Sequence, residues 1–181
     1  AGFMPNMLET VIAMLATASI GALWSSCSPD FGIGGVLDRF GQIEPRVLFT
    51  ADGYYYGRKR FDSIERITSI LKGLHSIEKV VVVPYTQNEP RIFPIPNSVL
   101  YEDFISNQSG LEIEFEQVPF DHPLYIMYSS GTTGLPKCIV HSVGGTLIQH
   151  IKELGLHTDL KREDTIFLLY HVWVDDVELA G

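Results

Sequence analysis

Four consecutive β-branched residues, Val80 to Val83, are the feature that most constrains the fold of this chain. β-Branched side chains favour extended backbone, and Pro84 ends the run. A strand that is apolar on both faces must be covered on both faces, as in a parallel sheet with helices packed against it. The run therefore predicts the central strand of a layered α/β fold.

Apolar periodicity along the rest of the chain alternates between the helical and the extended pattern. It predicts helices at about 6–20, 33–42, 60–74, 99–105 and from Gly144-Gly145 onward, and strands at 47–50, 80–83, 124–128, 138–141 and 165–170. This alternation predicts an α/β fold, a layered and mostly parallel sheet with helices on both faces. Residues 86–96 are rich in proline, asparagine and charge, which indicates a loop or the edge of a subdomain.

The segment 128–137, Tyr-Ser-Ser-Gly-Thr-Thr-Gly-Leu-Pro-Lys, joins two predicted strands. Its glycines allow main-chain N–H groups to converge on one centre, while its hydroxyls and its lysine add donors and positive charge. An ordinary surface turn is an equal alternative on composition alone. The candidate phosphate-binding residues are Ser129, Ser130, Gly131, Thr132, Thr133, Gly134 and Lys137.

The loop does not have the Walker A pattern. That pattern ends in Gly-Lys-Ser/Thr, whereas here Pro136 precedes Lys137 and Cys138 follows it. A strand rather than a helix is predicted after the loop, so no helix dipole is needed to explain phosphate binding.

The ten-residue string resembles the phosphate loop of the acyl-adenylate-forming superfamily, approximately (S/T)SGTTGxPKG, with Cys138 in place of the last glycine. The stretches LWSSCSPDFG at 23–32 and IPNSVLYEDF at 95–104 make it most similar to the branch that ligates acetoacetate to CoA. A cysteine after the lysine is usual in that branch. The resemblance runs from about Met7 to about Tyr170.

The resemblance implies that residues 1–181 are part of the large N-terminal AMP-binding domain of a ligase that uses ATP, Mg²⁺ and CoA. Acetoacetate would form an acyl-adenylate, from which the CoA thiol displaces AMP, and acetoacetyl-CoA would supply lipid and fatty acid metabolism in the cytoplasm. The family's C-terminal domain with its catalytic lysine lies outside the resemblance, so no catalytic residue is assigned and the isolated fragment is expected to be inactive. The alternatives are a noncatalytic nucleotide- or partner-binding domain, or a synthetase for another short-chain acid.

Composition excludes several other classes. A net charge of −9 argues against a nucleic-acid-binding surface. The uncharged stretch 10–29 is long enough for a membrane span, but its periodicity predicts a core helix instead. That helix is expected to pack on the sheet through one apolar face, formed by Met7, Leu8, Val11, Met14, Leu15 and Ala18. Oligomeric state leaves no signal in the sequence.

Histidine and cysteine spacing predicts neither a metal site nor a disulfide. Cys138 and His141 are three residues apart in a predicted strand, so they should point to opposite faces and cannot act as a nucleophile and base pair. A packing role is predicted for Cys138, and a structural role is favoured for His141. The acidic residues Asp175, Asp176 and Glu178 indicate a solvated end rather than a metal site.

Overall fold

Nine strands and five α-helices make up the part of the chain that the computed structural model describes, residues 1–106, 112–129 and 134–166. The strands are β1 (Gly2–Phe3), β2 (Ser26–Cys27), β3 (Val47–Ala51), β4 (Gly53–Tyr56), β5 (Lys59–Asp62), β6 (Lys79–Val83), β7 (Ser98–Leu100), β8 (Pro123–Ser129) and β9 (Lys137–Ser142). The helices are α1 (Leu8–Ser19), α2 (Ile33–Ile43), α3 (Ile64–Leu71), α4 (Tyr101–Ile105) and α5 (Val143–His150).

The central sheet has five parallel strands in the order β2-β1-β3-β6-β7. Val80 to Val83 of β6 are all buried, and the strand lies between β3 and β7. Val80 and Val82 join the larger apolar core, whereas Val83 packs with Met4 and Ala51 in a separate cluster. The prediction of a central strand covered on both faces is confirmed.

Helices lie on both faces of this sheet. On one face α2 and α3 contribute to the larger core, through Val36 and Phe40 of α2 and Ile67 and Ile70 of α3, all completely buried. On the other face, Met7 before α1 and Tyr101 of α4 pack against the smaller cluster. The predicted layered, mostly parallel α/β fold is therefore confirmed.

Helix α1 has the predicted position but not the predicted orientation. Its one buried residue is Ala13, while Leu8 is 70% and Leu15 is 58% exposed and Val11 is also exposed. The prediction of this core face was wrong. The helix's own apolar residues are spread around most of its circumference, so their periodicity does not single out one side.

The segment 53–62 is an antiparallel hairpin, where the sequence predicted the start of a helix at about residue 60. Gly57 and Arg58 both have positive φ, 54° and 66°, as a two-residue type I′ turn requires. An arginine at the second turn position hides the usual Asn-Gly signal. Phe61 stacks on Tyr54 at 5.1 Å in the hairpin, and α3 begins only at Ile64.

One further boundary differs from the sequence predictions. The helix expected at 99–105 begins at Tyr101, because the residues before it form the edge strand β7. Of the strand expected at 165–170, residues 165 and 166 are described and form no strand, and the rest lies outside the described residues, so this strand stays a prediction. Residues 86–96 contain no helix or strand, as expected for a loop.

The hairpin of β8 and β9 is joined to the central sheet through Trp24, just before β2. The Trp24 N–H donates to the Leu124 carbonyl at 3.0 Å, and the Ile126 N–H donates to the Trp24 carbonyl at 2.9 Å. The two strands pair antiparallel, which confirms the predicted arrangement of strand, loop and strand. Among the described helices, none has both the length and the apolar content needed to cross a membrane.

After β9 the chain enters α5 directly. The Ser142 side chain accepts a hydrogen bond from the Gly145 N–H at 3.2 Å and caps the helix, which opens at the predicted glycines. A π-helical segment, Ile151–His157, continues α5.

Candidate phosphate-binding site

Ser129 and Lys137 face each other at the loop end of the β8–β9 hairpin. Ser129 is the last residue of β8, Lys137 is the first of β9, and the register pairs them directly. Lys137 is exposed and forms no ion pair with any described residue, so its ammonium group is available to an anion. Of the seven candidate residues, Ser130, Gly131, Thr132 and Thr133 lie outside the described part of the chain.

Gly134 is exposed and has φ of +98°, a backbone conformation that residues with a Cβ rarely adopt. A Cβ at this position would meet nothing within 4 Å, so the need for glycine is conformational rather than steric. The described part of the loop thus has the positive φ that a converging set of main-chain N–H groups uses.

Tyr128 precedes Ser129 in β8 and is paired with Cys138 in the hairpin register. Its side chain packs against the main core, and its hydroxyl is 3.1 Å from Ser25 Oγ. Ser25 Oγ also donates to the Ile126 carbonyl at 2.7 Å. Burial raises the pKa of Tyr128 to about 12, although the Ser25 hydrogen bond opposes the shift. Tyr128 is therefore a neutral support for the loop near pH 7.

Helix α2 runs beside the hairpin and contacts Tyr128 in β8 and Pro136, the residue before β9. The Arg39 guanidinium lies 4.2 Å from the centroid of the Phe31 ring and 5.8 Å from that of the Tyr128 ring. One turn later, Gln42 Nε2 donates to the Pro136 carbonyl at 2.9 Å. These contacts could not be predicted from the sequence, because the residues are far apart along the chain and no local pattern connects them.

Cys138 and His141 do not form a catalytic pair in this structure. The β9 register is regular between them, so their side chains project from opposite faces of the strand. Cys138 is half-buried beside Tyr128, and His141 is exposed. Neither cysteine forms a disulfide. The described residues contain no group of three His, Cys, Asp or Glu side chains that could hold a metal ion.

A parallel α/β sheet, joined to a hairpin whose loop is rich in glycines and hydroxyls, is typical of one class of nucleotide-dependent enzyme. The chain matches the family described as "AMP-binding enzyme" over residues 1–175 and belongs to that family. Within it, the chain is similar to the acetoacetyl-CoA synthetase of Gallus gallus, 54% identical over 170 residues that make up 91% of this chain and 26% of the relative.

Further comparisons agree with this relationship. The acetoacetyl-coenzyme A synthetase of Rhizobium meliloti is 51% identical over 92% of this chain and 26% of the relative. The solved structure of the acetoacetyl-CoA synthetase from Streptomyces lividans superposes with a TM-score of 0.81 at 47% identity, covering 88% of this chain and 24% of that one. The resemblance found in the sequence is confirmed, and the chain spans about a quarter of the length of these relatives.

Proposed function

We propose that this chain supplies the phosphate-binding part of an ATP-dependent acid–thiol ligase that joins acetoacetate to CoA. The observation that carries the proposal is the direct pairing of Ser129 with Lys137, the two strand residues that flank the loop. The chain also belongs to the AMP-binding family. The choice of acetoacetate is supported by the similarity to proteins named acetoacetyl-CoA synthetase from vertebrates and bacteria.

In the proposed reaction a carboxylate oxygen of acetoacetate attacks the α-phosphorus of ATP, and the bond to pyrophosphate breaks. Negative charge develops on the leaving pyrophosphate, where hydrogen-bond donors and a cation lower the barrier. The CoA sulfur then attacks the acyl carbon, and AMP leaves. The donors proposed for the first step are Lys137, the loop hydroxyls of Ser129, Ser130, Thr132 and Thr133, and the N–H groups near Gly131 and Gly134.

The donor set at the loop fits phosphate better than it fits a metal ion. Hydroxyls, amides and an ammonium group bind anionic oxygen, while Mg²⁺ prefers carboxylates and water. The described residues contain no group of three His, Cys, Asp or Glu side chains that could hold a metal ion, so no protein ligand to Mg²⁺ is proposed. When bound, it would neutralise charge on the phosphates.

A chimera tests this proposal. Residues 1–166 of the chain replace the matching segment of the Gallus gallus relative, and ATP–pyrophosphate exchange is measured with acetoacetate or with acetate. We expect exchange with acetoacetate and little with acetate. Lys137→Ala should lower exchange by about 100-fold, the scale seen when one donor to a developing charge is lost. Lys72→Ala, at another exposed lysine, should have no effect.

Other results would refute parts of the proposal. A chimera that is folded but inactive would refute the proposed ligase function and favour a noncatalytic binding domain. Equal rates with acetate would refute the substrate assignment only. For the 181-residue chain alone we expect no exchange and at most weak ATP binding by calorimetry, because it spans about a quarter of its relatives. We propose the cytoplasm as its compartment, which suits two cysteines that form no disulfide.

A further inference from the structure

The Gln42 side chain connects helix α2 to the end of the candidate loop. Its amide nitrogen donates to the Asp38 carbonyl on its own helix at 2.6 Å and to the Pro136 carbonyl at 2.9 Å. Both hydrogens of the amide group are thus used, one to hold the side chain on its helix and one to hold the loop. The side chain is exposed, so it takes no part in the core.

Helix α2 is anchored in the core on the side that faces the sheet, so it can hold the Gln42 side chain in place. Val36 and Phe40 are completely buried in the main core. Arg39 and Gln42 are three residues apart and lie on neighbouring positions of the helix surface. Arg39 is close to the Tyr128 ring at the end of β8, while Gln42 reaches Pro136 just before β9. The same helix therefore contacts Tyr128 before the loop and Pro136 at its end.

The contact at Pro136 acts directly on Lys137. A peptide unit is planar, so a hydrogen bond to the Pro136 oxygen fixes the plane that also contains the Lys137 nitrogen and Cα. Proline has no N–H and a fixed φ, so this carbonyl is the only polar backbone group through which the residue can be held. The hydrogen bond therefore orients the start of β9 and the direction in which the Lys137 side chain leaves the backbone.

We propose that Gln42 is a positioning residue for the phosphate loop and sets the placement of Lys137 toward the phosphates of ATP. This inference rests on the proposed function. Gln42 touches neither substrate nor reacting atoms, so its effect passes through Pro136. Its loss should weaken the use of ATP and leave the use of acetoacetate unchanged.

Three variants test this role in the active chimera and in the 181-residue chain. Gln42→Met keeps the length of the side chain and removes both donors, whereas Gln42→Arg retains donors. Gln149→Met is the matched control, because Gln149 is an exposed glutamine whose amide bonds Glu153 on the helix that follows β9. We expect Gln42→Met to lower kcat/KM for ATP about fivefold, the scale of one hydrogen bond, and Gln42→Arg to restore most of it.

Hydrogen exchange in the 181-residue chain gives a readout that does not depend on activity. The amides of Leu135, Lys137 and Cys138 should exchange faster in Gln42→Met, with an unchanged melting temperature and with no change in Gln149→Met. Unaltered exchange at these amides would show that the Gln42–Pro136 hydrogen bond does not restrain the loop, whether or not the chimera is active. Faster exchange together with unchanged ATP kinetics, or an equal loss for ATP and acetoacetate, would overturn the positioning role. An inactive wild-type chimera would refute the function on which this role rests. The exchange data would still show whether the Gln42–Pro136 hydrogen bond restrains the loop.

Discussion

The Thr86 hydroxyl donates to Asp52 Oδ2 at 2.6 Å, and the Asp52 side chain is completely buried. The same carboxylate accepts from the Tyr85 N–H at 2.6 Å, the Thr86 N–H at 2.9 Å and Gln87 Nε2 at 3.4 Å. A buried carboxyl group is tolerated when hydrogen-bond donors satisfy its oxygens, as these four donors do. Asp52 directly follows β3, which pairs with β6. Its side chain therefore holds the segment after β6 against the end of β3.

Replacing Asp52 should therefore destabilise the fold. Asp52→Ala leaves the partly buried donors after β6 without their acceptor, and we expect the free energy of unfolding to fall by about 2–4 kcal/mol. Asp52→Asn keeps one oxygen acceptor and should cost less. Urea denaturation measures both, with Asp38→Ala as the control at an exposed aspartate, expected within about 0.5 kcal/mol of wild type. Equal stability of Asp52→Ala and Asp38→Ala would contradict this account.

Gly53, at the start of β4, should not tolerate a larger residue. A Cβ there would lie 2.4 Å from the carbonyl oxygen of Phe61 on the paired strand, and a backbone atom cannot turn aside as a side chain can. We expect Gly53→Ala to lower the free energy of unfolding by about 1–3 kcal/mol.

Gly41 provides the matched control for that substitution. It lies inside α2, and a Cβ there would meet nothing within 4 Å. Gly41→Ala should therefore raise the free energy of unfolding by about 0.5–1 kcal/mol, because alanine loses less backbone entropy in a helix. Thermal unfolding of the two variants should shift in opposite directions. A rise for both variants would show that local propensity, not the contact with Phe61, decides the effect at Gly53, and a fall for both would contradict the account of Gly41.

Much of the fold could be predicted because its strongest signals are local. The β-branched run of β6 determines its burial on both faces, and the apolar spacing of α2 determines its packing through Val36 and Phe40. The candidate loop could be found for the same reason, since glycines, hydroxyls and a lysine are contiguous between two strands.

The features that escaped prediction depend on contacts between distant segments or on unusual backbone angles. The β4–β5 turn places Arg58 at positive φ, where propensity does not expect it. The orientation of α1 depends on what packs beside Ala13, because apolar residues surround the helix. The bond from Gln42 to Pro136 crosses 94 positions, and an exposed glutamine in a helix has no pattern of its own.

Stability should fall at alkaline pH because of Tyr128. Burial raises the pKa of this phenol from 10.0 to about 12 in the folded state, so between these values the folded chain binds more protons than the unfolded chain. The free energy of unfolding then decreases as pH rises, with the contribution complete below about pH 10 and lost as pH passes about 12. Urea denaturation at several pH values should show a shallower decline for Tyr128→Phe. Tyr56→Phe, at an exposed tyrosine, should keep the wild-type decline.

The buried thiol of Cys27 should resist alkylation, in contrast to Cys138. Burial raises the pKa of Cys27 from 9.0 to about 12, although Arg39 lowers it slightly, so little thiolate is present near pH 8. Cys138 is half-buried. Iodoacetamide should therefore modify the native chain about once, and Cys138→Ser should abolish this rapid reaction, whereas Cys27→Ser should not. Mass spectrometry identifies the labelled residue, and rapid labelling at Cys27 would contradict the burial.

The exposed side of α1 should make the 181-residue chain self-associate. Leu8, Ile12 and Leu15 follow the helical spacing of one face, and all three are exposed. Contiguous apolar surface of this kind favours association in water. Light scattering at increasing concentration should show a mass above 20.3 kDa for the wild type and a mass near that value for the double variant Leu8→Lys, Leu15→Lys. Phe93→Lys removes an exposed apolar side chain in a loop and should leave association unchanged. If the wild type is monomeric at every concentration, or if Phe93→Lys has the same effect as the double variant, this face of α1 is not the surface that associates.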